Sequence, residues 1–202
     1  SGAMAGFHAR ASDTVVPIPD CHLLHPDLMA ALPVAEALAR TGASRKGELS
    51  VQATTSPTGL DIAVRGGKAL DAALRADLAA LAERHALARL AWDGEVVALR
   101  AHPETAIGRC RVTPPPGAFL QATTEGERAL QAAVAEALTG ALSGTSRIVD
   151  LFAGCGTFAL PLAEAAQIHA VEGDAAMLAA LDHGWRHGTG LKQVTTETRD
   201  LF

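Results

Sequence analysis

Apolar positions change their period several times along the chain, and each change predicts an element. Thr14, Val15, Val16 and Ile18 form a β-prone run broken by Pro17 and Pro19, which predicts an edge strand running into a turn. From Pro26 the spacing becomes helical: Leu28, Leu32, Ala35, Leu38 and Ala39 fall at three- and four-residue steps, and Gly42 supplies a stop. Leu49, Val51 and Ala53 then alternate with polar residues, as do Leu60, Ile62 and Val64, predicting a hairpin whose loop spans Thr54 to Gly59 and whose second strand ends at Gly66-Gly67. Leu70, Leu74, Leu78 and Leu81 line one face of a helix running to about Ala88, with Arg75, Asp77 and Arg84 toward solvent. Two strands follow, Glu95–Leu99 and Ile107–Val112, before Pro114-Pro115-Pro116-Gly117 interrupts regular structure.

Beyond that interruption the order changes. A helix over about Thr123–Leu138 leads into strand Ile148–Phe152, helix Thr157–Ala165, strand Ile168–Glu172, helix Ala175–His187 and strand Val194–Thr196. Such alternation predicts a parallel sheet with crossover helices. The expected fold class is α/β, with a small mixed α/β domain over residues 5–116 and the N-terminal half of a Rossmann-like domain over residues 117–202. The sequence stops after the third parallel strand, where a doubly wound sheet calls for more. Residues 1–4, Ser-Gly-Ala-Met, read as a cloning scar, and the remainder as an interior segment of a longer protein.

The most informative segment is Ile148-Val149-Asp150-Leu151-Phe152-Ala153-Gly154-Cys155-Gly156-Thr157-Phe158, an apolar strand ending in a glycine loop ahead of a helix. Gly154 and Gly156 let the backbone turn tightly and approach a ligand, and the following helix start offers free N–H groups. Glu172 stands 18 residues after Gly154 at the end of the next strand, where an acidic side chain accepts both hydroxyls of a ribose. Gly154-x-Gly156-x-x-Ala159 also fits the looser dinucleotide fingerprint, so a nicotinamide-dependent oxidoreductase is the competing enzyme reading. Asp150 favours the cationic methionine end of S-adenosylmethionine over a pyrophosphate.

Two motifs together carry a resemblance. Gly117-Ala118-Phe119-Leu120-Gln121-Ala122-Thr123, then after a helix Asp150-Leu151-Phe152-Ala153-Gly154-Cys155-Gly156-Thr157-Phe158-Ala159-Leu160-Pro161-Leu162-Ala163, resembles the RNA 5-methyluridine (uracil-5) methyltransferase family. The likeness continues through Val171-Glu172-Gly173 and, more weakly, through Gly6-Phe7-His8 and Val16 to Cys21. It implies a class I methyltransferase domain, S-adenosylmethionine as cofactor, and methyl transfer to carbon 5 of a uridine in ribosomal or transfer RNA. Gln121, Asp150, Phe152, Gly154, Gly156 and Glu172 are the implied cofactor residues, with Asp200 at the end of the third strand a further candidate toward the adenine. A threonine, Thr123 or Thr124, stands where the family usually has Asn.

The family's Asp-Pro-Pro-Arg segment and late cysteine nucleophile do not occur in these 202 residues, so no catalytic residue is assigned and this chain alone is expected not to transfer methyl groups. Many relatives hold an iron–sulfur cluster through four cysteines. Cys21 resembles the last of these, which allows a cluster in the parent protein but not in this chain, since one thiolate cannot hold it. A non-enzymatic RNA-binding module with a vestigial cofactor loop is the remaining alternative.

Composition sharpens this picture in a few places. Cys21, Cys110 and Cys155 form neither a disulfide framework nor a zinc pattern, and Cys155 and Cys110 read as packing residues. The net charge of −5 gives no overall nucleic-acid footprint, leaving Arg45, Lys46, Arg65 and Lys68, in two loops a hairpin brings together, as the local RNA-facing candidate set against solvated loop charge. His183 and His187 read as a helix-surface pair, and Trp92 and Trp185 as packing residues. No run reaches the ~20 apolar residues of a membrane helix, so the expected location is the cytoplasm, with RNA as the partner.

Overall fold

A computed structural model describes residues 2–45, 47–142 and 145–202; Ser1 of the expected scar and Lys46 of the candidate basic patch lie outside them. The chain divides into two compact units, Ser1–Pro103 and Glu104–Phe202.

In the first unit, strands β1 (Gly6–His8) and β2 (Val15–Pro17) form an antiparallel hairpin. Helices α1 (Pro26–Met29) and α2 (Ala31–Gly42) follow, then β3 (Ser50–Ser56), β4 (Gly59–Arg65), α3 (Ala72–Arg84), β5 (Arg89–Trp92) and β6 (Glu95–Leu99). The sheet order is β3-β4-β5-β6, with β4 and β5 parallel and the outer pairs antiparallel. Val34 and Leu38 of α2, Leu74, Leu78 and Leu81 of α3, and Ile62, Val64, Leu90 and Trp92 of the sheet form the core. On the sheet's other side, register partners Asp61 and Arg89 make a buried two-pronged ion pair at 2.8 and 2.6 Å.

Three expectations change here. The β3–β4 loop is tighter than Thr54–Gly59, because Thr54, Thr55 and Ser56 remain in the ladder. Helix α3 stops at Arg84, and Arg89–Trp92 becomes a strand: Ala86 takes a left-handed φ of +49° that turns the chain out of the helix. All four residues of β5 are buried, so no polar alternation marks it in the sequence.

The second unit opens with the hairpin β7 (Thr105–Ile107) and β8 (Cys110–Val112), which replaces the single expected strand Ile107–Val112, Gly108 turning at φ +56°. The sequence boundary at residue 116 groups this hairpin with the first domain, whereas Ile107, Cys110 and Val112 are buried in the core of the second unit. Gly184 provides the reason: a Cβ there would lie 2.8 Å from Val112 Cγ2, so its absence lets β8 press onto the next-to-last element.

That unit continues with α4 (Thr124–Ala137), β9 (Arg147–Leu151), α5 (Ala159–Leu162), β10 (Gln167–Glu172), α6 (Ala175–His187) and β11 (Val194–Thr198). Its three-stranded sheet is parallel, in the order β11-β10-β9 with helices crossing between the strands, so the α/β class stands. The expected helix Thr157–Ala165 contracts to four residues around Pro161, flanked by turns. Ile168, Ala170, Leu178 and Leu181 form its core, while Val149 and Leu151 of β9 lie 60% and 51% exposed on the opposite face.

Candidate cofactor site

Parallel pairing puts the ends of β9 and β10 side by side, Ala170 opposite Asp150 and Val171 opposite Leu151, with Glu172 opposite Thr198 on β11. Ligands of such sheets bind beyond these carboxyl ends. The loop leaving β9 is built from left-handed residues: Phe152 at φ +59°, Gly154 at +54° and Gly156 at +96°. A non-glycine residue with positive φ is uncommon and marks a constrained turn. Ala153 N–H donates to Val171 O (3.1 Å), tying this loop to β10.

Glu172 organises the loop from the neighbouring strand. Its Oε2 accepts from Gly154 N–H at 3.0 Å, and its Oε1 accepts from Gly173 N–H at 2.7 Å and Asp174 N–H at 3.1 Å. Asp174 in turn caps α6, its Oδ1 accepting from Ala176 N–H (2.8 Å) and Met177 N–H (3.3 Å). Met177 Cε sits against Gly154, 3.3 Å from where a Cβ would stand. Gln131 of α4 donates to Thr157 O at 3.0 Å and to Glu127 Oε1 at 3.2 Å, so that helix braces the far side of the loop.

Asp150 carries the sharpest electrostatic feature. Its Oδ2 is buried and has no hydrogen-bond partner among the described residues. Burial pushes its carboxyl above the usual carboxylate range; a hydrogen bond from Ala159 N–H pulls down and the neighbouring charge of Glu172 pushes up again. Cys155, buried in the same loop, has its thiol pushed up to about 12 by burial, then by Asp174 and Glu172. Three carboxylates thus surround the loop, an environment that repels a pyrophosphate and suits a ligand bearing positive charge and hydroxyls.

The structure therefore gathers Asp150, Phe152, Gly154, Gly156 and Glu172 at one edge. Asp200 is exposed two residues past β11, its Oδ1 accepting from Phe202 N–H at 3.1 Å. Gln121 lies half-buried in the irregular segment before α4, and among the described residues no hydrogen bond joins it to the glycine loop. Thr123, one of the two threonines considered for the family's Asn position, caps α4 by accepting from Gly126 N–H at 3.0 Å. Asp174, Gln131 and Phe202 escaped the sequence reading. Phe202 packs its ring 5.3 Å from that of Phe152, and only strand register could have suggested it.

Among the described residues no three His, Cys, Asp or Glu side chains converge on a metal position, and Cys21 is half-buried. No helix among them is long and apolar enough to cross a membrane. His183 and His187 stack at 4.2 Å on α6, and Trp92 and Trp185 each donate Nε1–H to a backbone carbonyl at 3.0 Å.

Two predictions arise here. Gly156→Ala should cost about 1–2 kcal/mol, read as a fall of a few degrees in Tm, because the added Cβ would stand 2.8 Å from Leu160 Cγ and 2.9 Å from Leu181 Cγ on a left-handed backbone. Iodoacetamide at neutral pH should label Cys21 well before Cys155 or Cys110, whose thiols burial holds protonated; early labelling of Cys155 in a peptide map would contradict the raised value.

No family model matches the chain. Over 201 residues, all of its length, it is 40% identical to an uncharacterized RNA methyltransferase of Brucella suis biovar 1, and over 202 residues 40% identical to another of Mesorhizobium japonicum; it covers 48% of each. It is 29% identical over 181 residues to the 23S rRNA (uracil(1939)-C(5))-methyltransferase RlmD of Shewanella halifaxensis, covering 86% of this chain and 40% of that protein. The chain spans about half the length of the curated relatives it matches. In fold it matches the Pyrococcus abyssi tRNA (uracil-54, C5)-methyltransferase, solved with S-adenosyl-L-homocysteine, at a TM-score of 0.66 and 12% identity, covering 91% of this chain and 49% of that one.

Proposed function

We infer that this chain, which is homologous to RNA methyltransferases along its whole length and belongs with them, carries the S-adenosylmethionine-binding half of an enzyme that methylates carbon 5 of a uridine in ribosomal or transfer RNA. The observation that carries the cofactor assignment is the buried, unpartnered Oδ2 of Asp150 beside a left-handed glycine loop. A desolvated carboxylate oxygen with no donor is costly unless a ligand supplies one. S-adenosylmethionine supplies an activated methyl group, together with an ammonium and a ribose that match this acidic rim.

In this reading Gly154 and Gly156 bring the backbone close to the ligand, Asp150 attracts its cationic end, and Glu172 exchanges part of its backbone hydrogen bonding for the ribose hydroxyls. Phe152, exposed at the end of the glycine-loop strand, offers an apolar face for a planar base. Neither Cys110 nor Cys155 suits a nucleophile, since burial raises both thiols. The uridine specificity is supported by the paired sequence motifs and by the likeness to RlmD.

Calorimetry on this chain tests the cofactor assignment. Heat on titrating S-adenosylmethionine or S-adenosylhomocysteine, with none for a nicotinamide dinucleotide, is the expected result. Nicotinamide dinucleotide binding without S-adenosylmethionine binding would overturn it in favour of an oxidoreductase.

A further inference from the structure

We propose that Arg45, Arg65 and Lys68 of the first unit form a landing site for the phosphate backbone of the RNA, an inference that rests on the RNA-methyltransferase reading and names a surface for it. All three side chains are exposed. None makes an ion pair with a described carboxylate, in contrast to Arg40, Arg75 and Arg89 of the same unit, which pair with Glu36, Glu95 and Asp61. The acids closest in the chain make other contacts: Glu48 pairs with His8 at 2.7 Å, Asp61 with Arg89, and Asp71 accepts from Leu74 N–H at 2.7 Å; Asp93, which reaches this loop from β5's end, accepts from Gly66 N–H at 2.8 Å and Gly67 N–H at 3.2 Å.

The backbone holds the two cation-bearing loops together. Lys68 N–H donates to Gly42 O at 2.9 Å, joining the Arg65–Lys68 loop to the end of α2, three residues before Arg45. Buried Trp92 is clasped between these loops: a Cβ on Gly42 would stand 2.3 Å from its Cη2, one on Gly67 2.1 Å from its Cζ2, and its Nε1–H donates to Lys68 O at 3.0 Å. Gly66, at φ +80°, makes the turn that separates Arg65 from Lys68. Three exposed cations without an ion pair to a described carboxylate, on two loops tethered through Gly42 and Lys68, form a local concentration of positive charge in a chain whose net charge is −5. Cations of this kind recognise phosphodiesters, fixing the position of a strand without reading its bases.

The test is fluorescence anisotropy of a labelled single-stranded RNA with this chain across a salt series. A triple variant, Arg45→Ala, Arg65→Ala and Lys68→Ala, is compared with a control that removes Arg10, Arg84 and Arg147, three exposed arginines that also make no ion pair with a described carboxylate. Each phosphate contact on a single strand contributes about 0.7 to the slope of log K against log salt, so the triple variant should lower that slope by about 2 and weaken binding equally for RNAs of different sequence. The control should keep most of the slope. If the wild-type chain binds RNA and the triple variant binds with the same slope, the landing site is wrong while the RNA reading stands. If the wild type binds S-adenosylmethionine but no RNA, the landing site and the RNA reading of this chain fall together.

Discussion

Replacing Glu172 with alanine should lower affinity for S-adenosylmethionine by a hundredfold or more and lower the melting temperature of the free protein. Both effects come from one carboxylate. In the free protein it accepts three backbone N–H groups, from Gly154, Gly173 and Asp174, and so fixes the loop after β9 to the turn after β10. Hydrogen bonds to a charged acceptor contribute about 1.5–3 kcal/mol each where buried, and less here because the site is half open. A net loss of about 2–4 kcal/mol corresponds to a fall of roughly 5–15 °C in a domain pair of this size. On the proposed cofactor assignment, losing the acceptor for two ribose hydroxyls supplies the affinity loss. Glu172→Gln separates the two roles: one amide oxygen still accepts from one side of the turn, so Tm should fall by less than in the alanine variant while affinity still falls at least about tenfold. Unchanged calorimetric affinity in Glu172→Ala would sink the assignment of this residue to the cofactor.

That Asp150, Gly154, Gly156 and Glu172 come together at one sheet edge was more legible in the sequence than the bounds of the elements around them. Asp150, Gly154, Gly156 and Glu172 are legible because their spacing follows from geometry: one strand, one tight loop, one crossover helix and a second strand bring residue 172 beside residue 154. What holds the site is less legible. The bond from Gly154 N–H to Glu172 depends on φ values near +55° at Phe152 and Gly154, and nothing in the identity of Phe152 announces a left-handed backbone. Gln131 reaches Thr157 O from a helix 26 residues earlier, a contact with no local signal.

Misread elements share a cause. Arg89–Trp92 shows neither period because both of its faces are covered, and Leu87-Ala88 extends the preceding helical pattern up to it. The hairpin at 105–112 carries its apolar residues at Ile107, Cys110 and Val112, and only the missing side chain of Gly184, more than 70 residues later, decides which core receives them. Burial partners distant in sequence override local pattern in both cases.

Asp150→Asn is expected to move stability and cofactor affinity in opposite directions. Its carboxyl is raised by burial and by the charge of Glu172, so wherever it is ionised that charge is held at a cost to the folded state. For a group whose folded-state pKa is raised, the contribution to stability is fully present below the unfolded value, about 3.9 for Asp, and is lost as pH rises through the folded value. An amide removes the charge, keeps an acceptor for Ala159 N–H, and should therefore raise the neutral-pH Tm of the free protein, with the difference from wild type shrinking as pH falls through the raised pKa. Affinity should go the other way, dropping about ten- to a hundredfold at neutral pH, because a charged hydrogen-bond partner for the cationic end of the ligand is gone. In the wild type that affinity should weaken on acidification at a pH above the ordinary carboxylate range, a step the asparagine variant lacks. A variant that loses stability at neutral pH and binds S-adenosylmethionine as the wild type does would make Asp150 a structural carboxylate, and its buried oxygen would then need a donor other than this ligand.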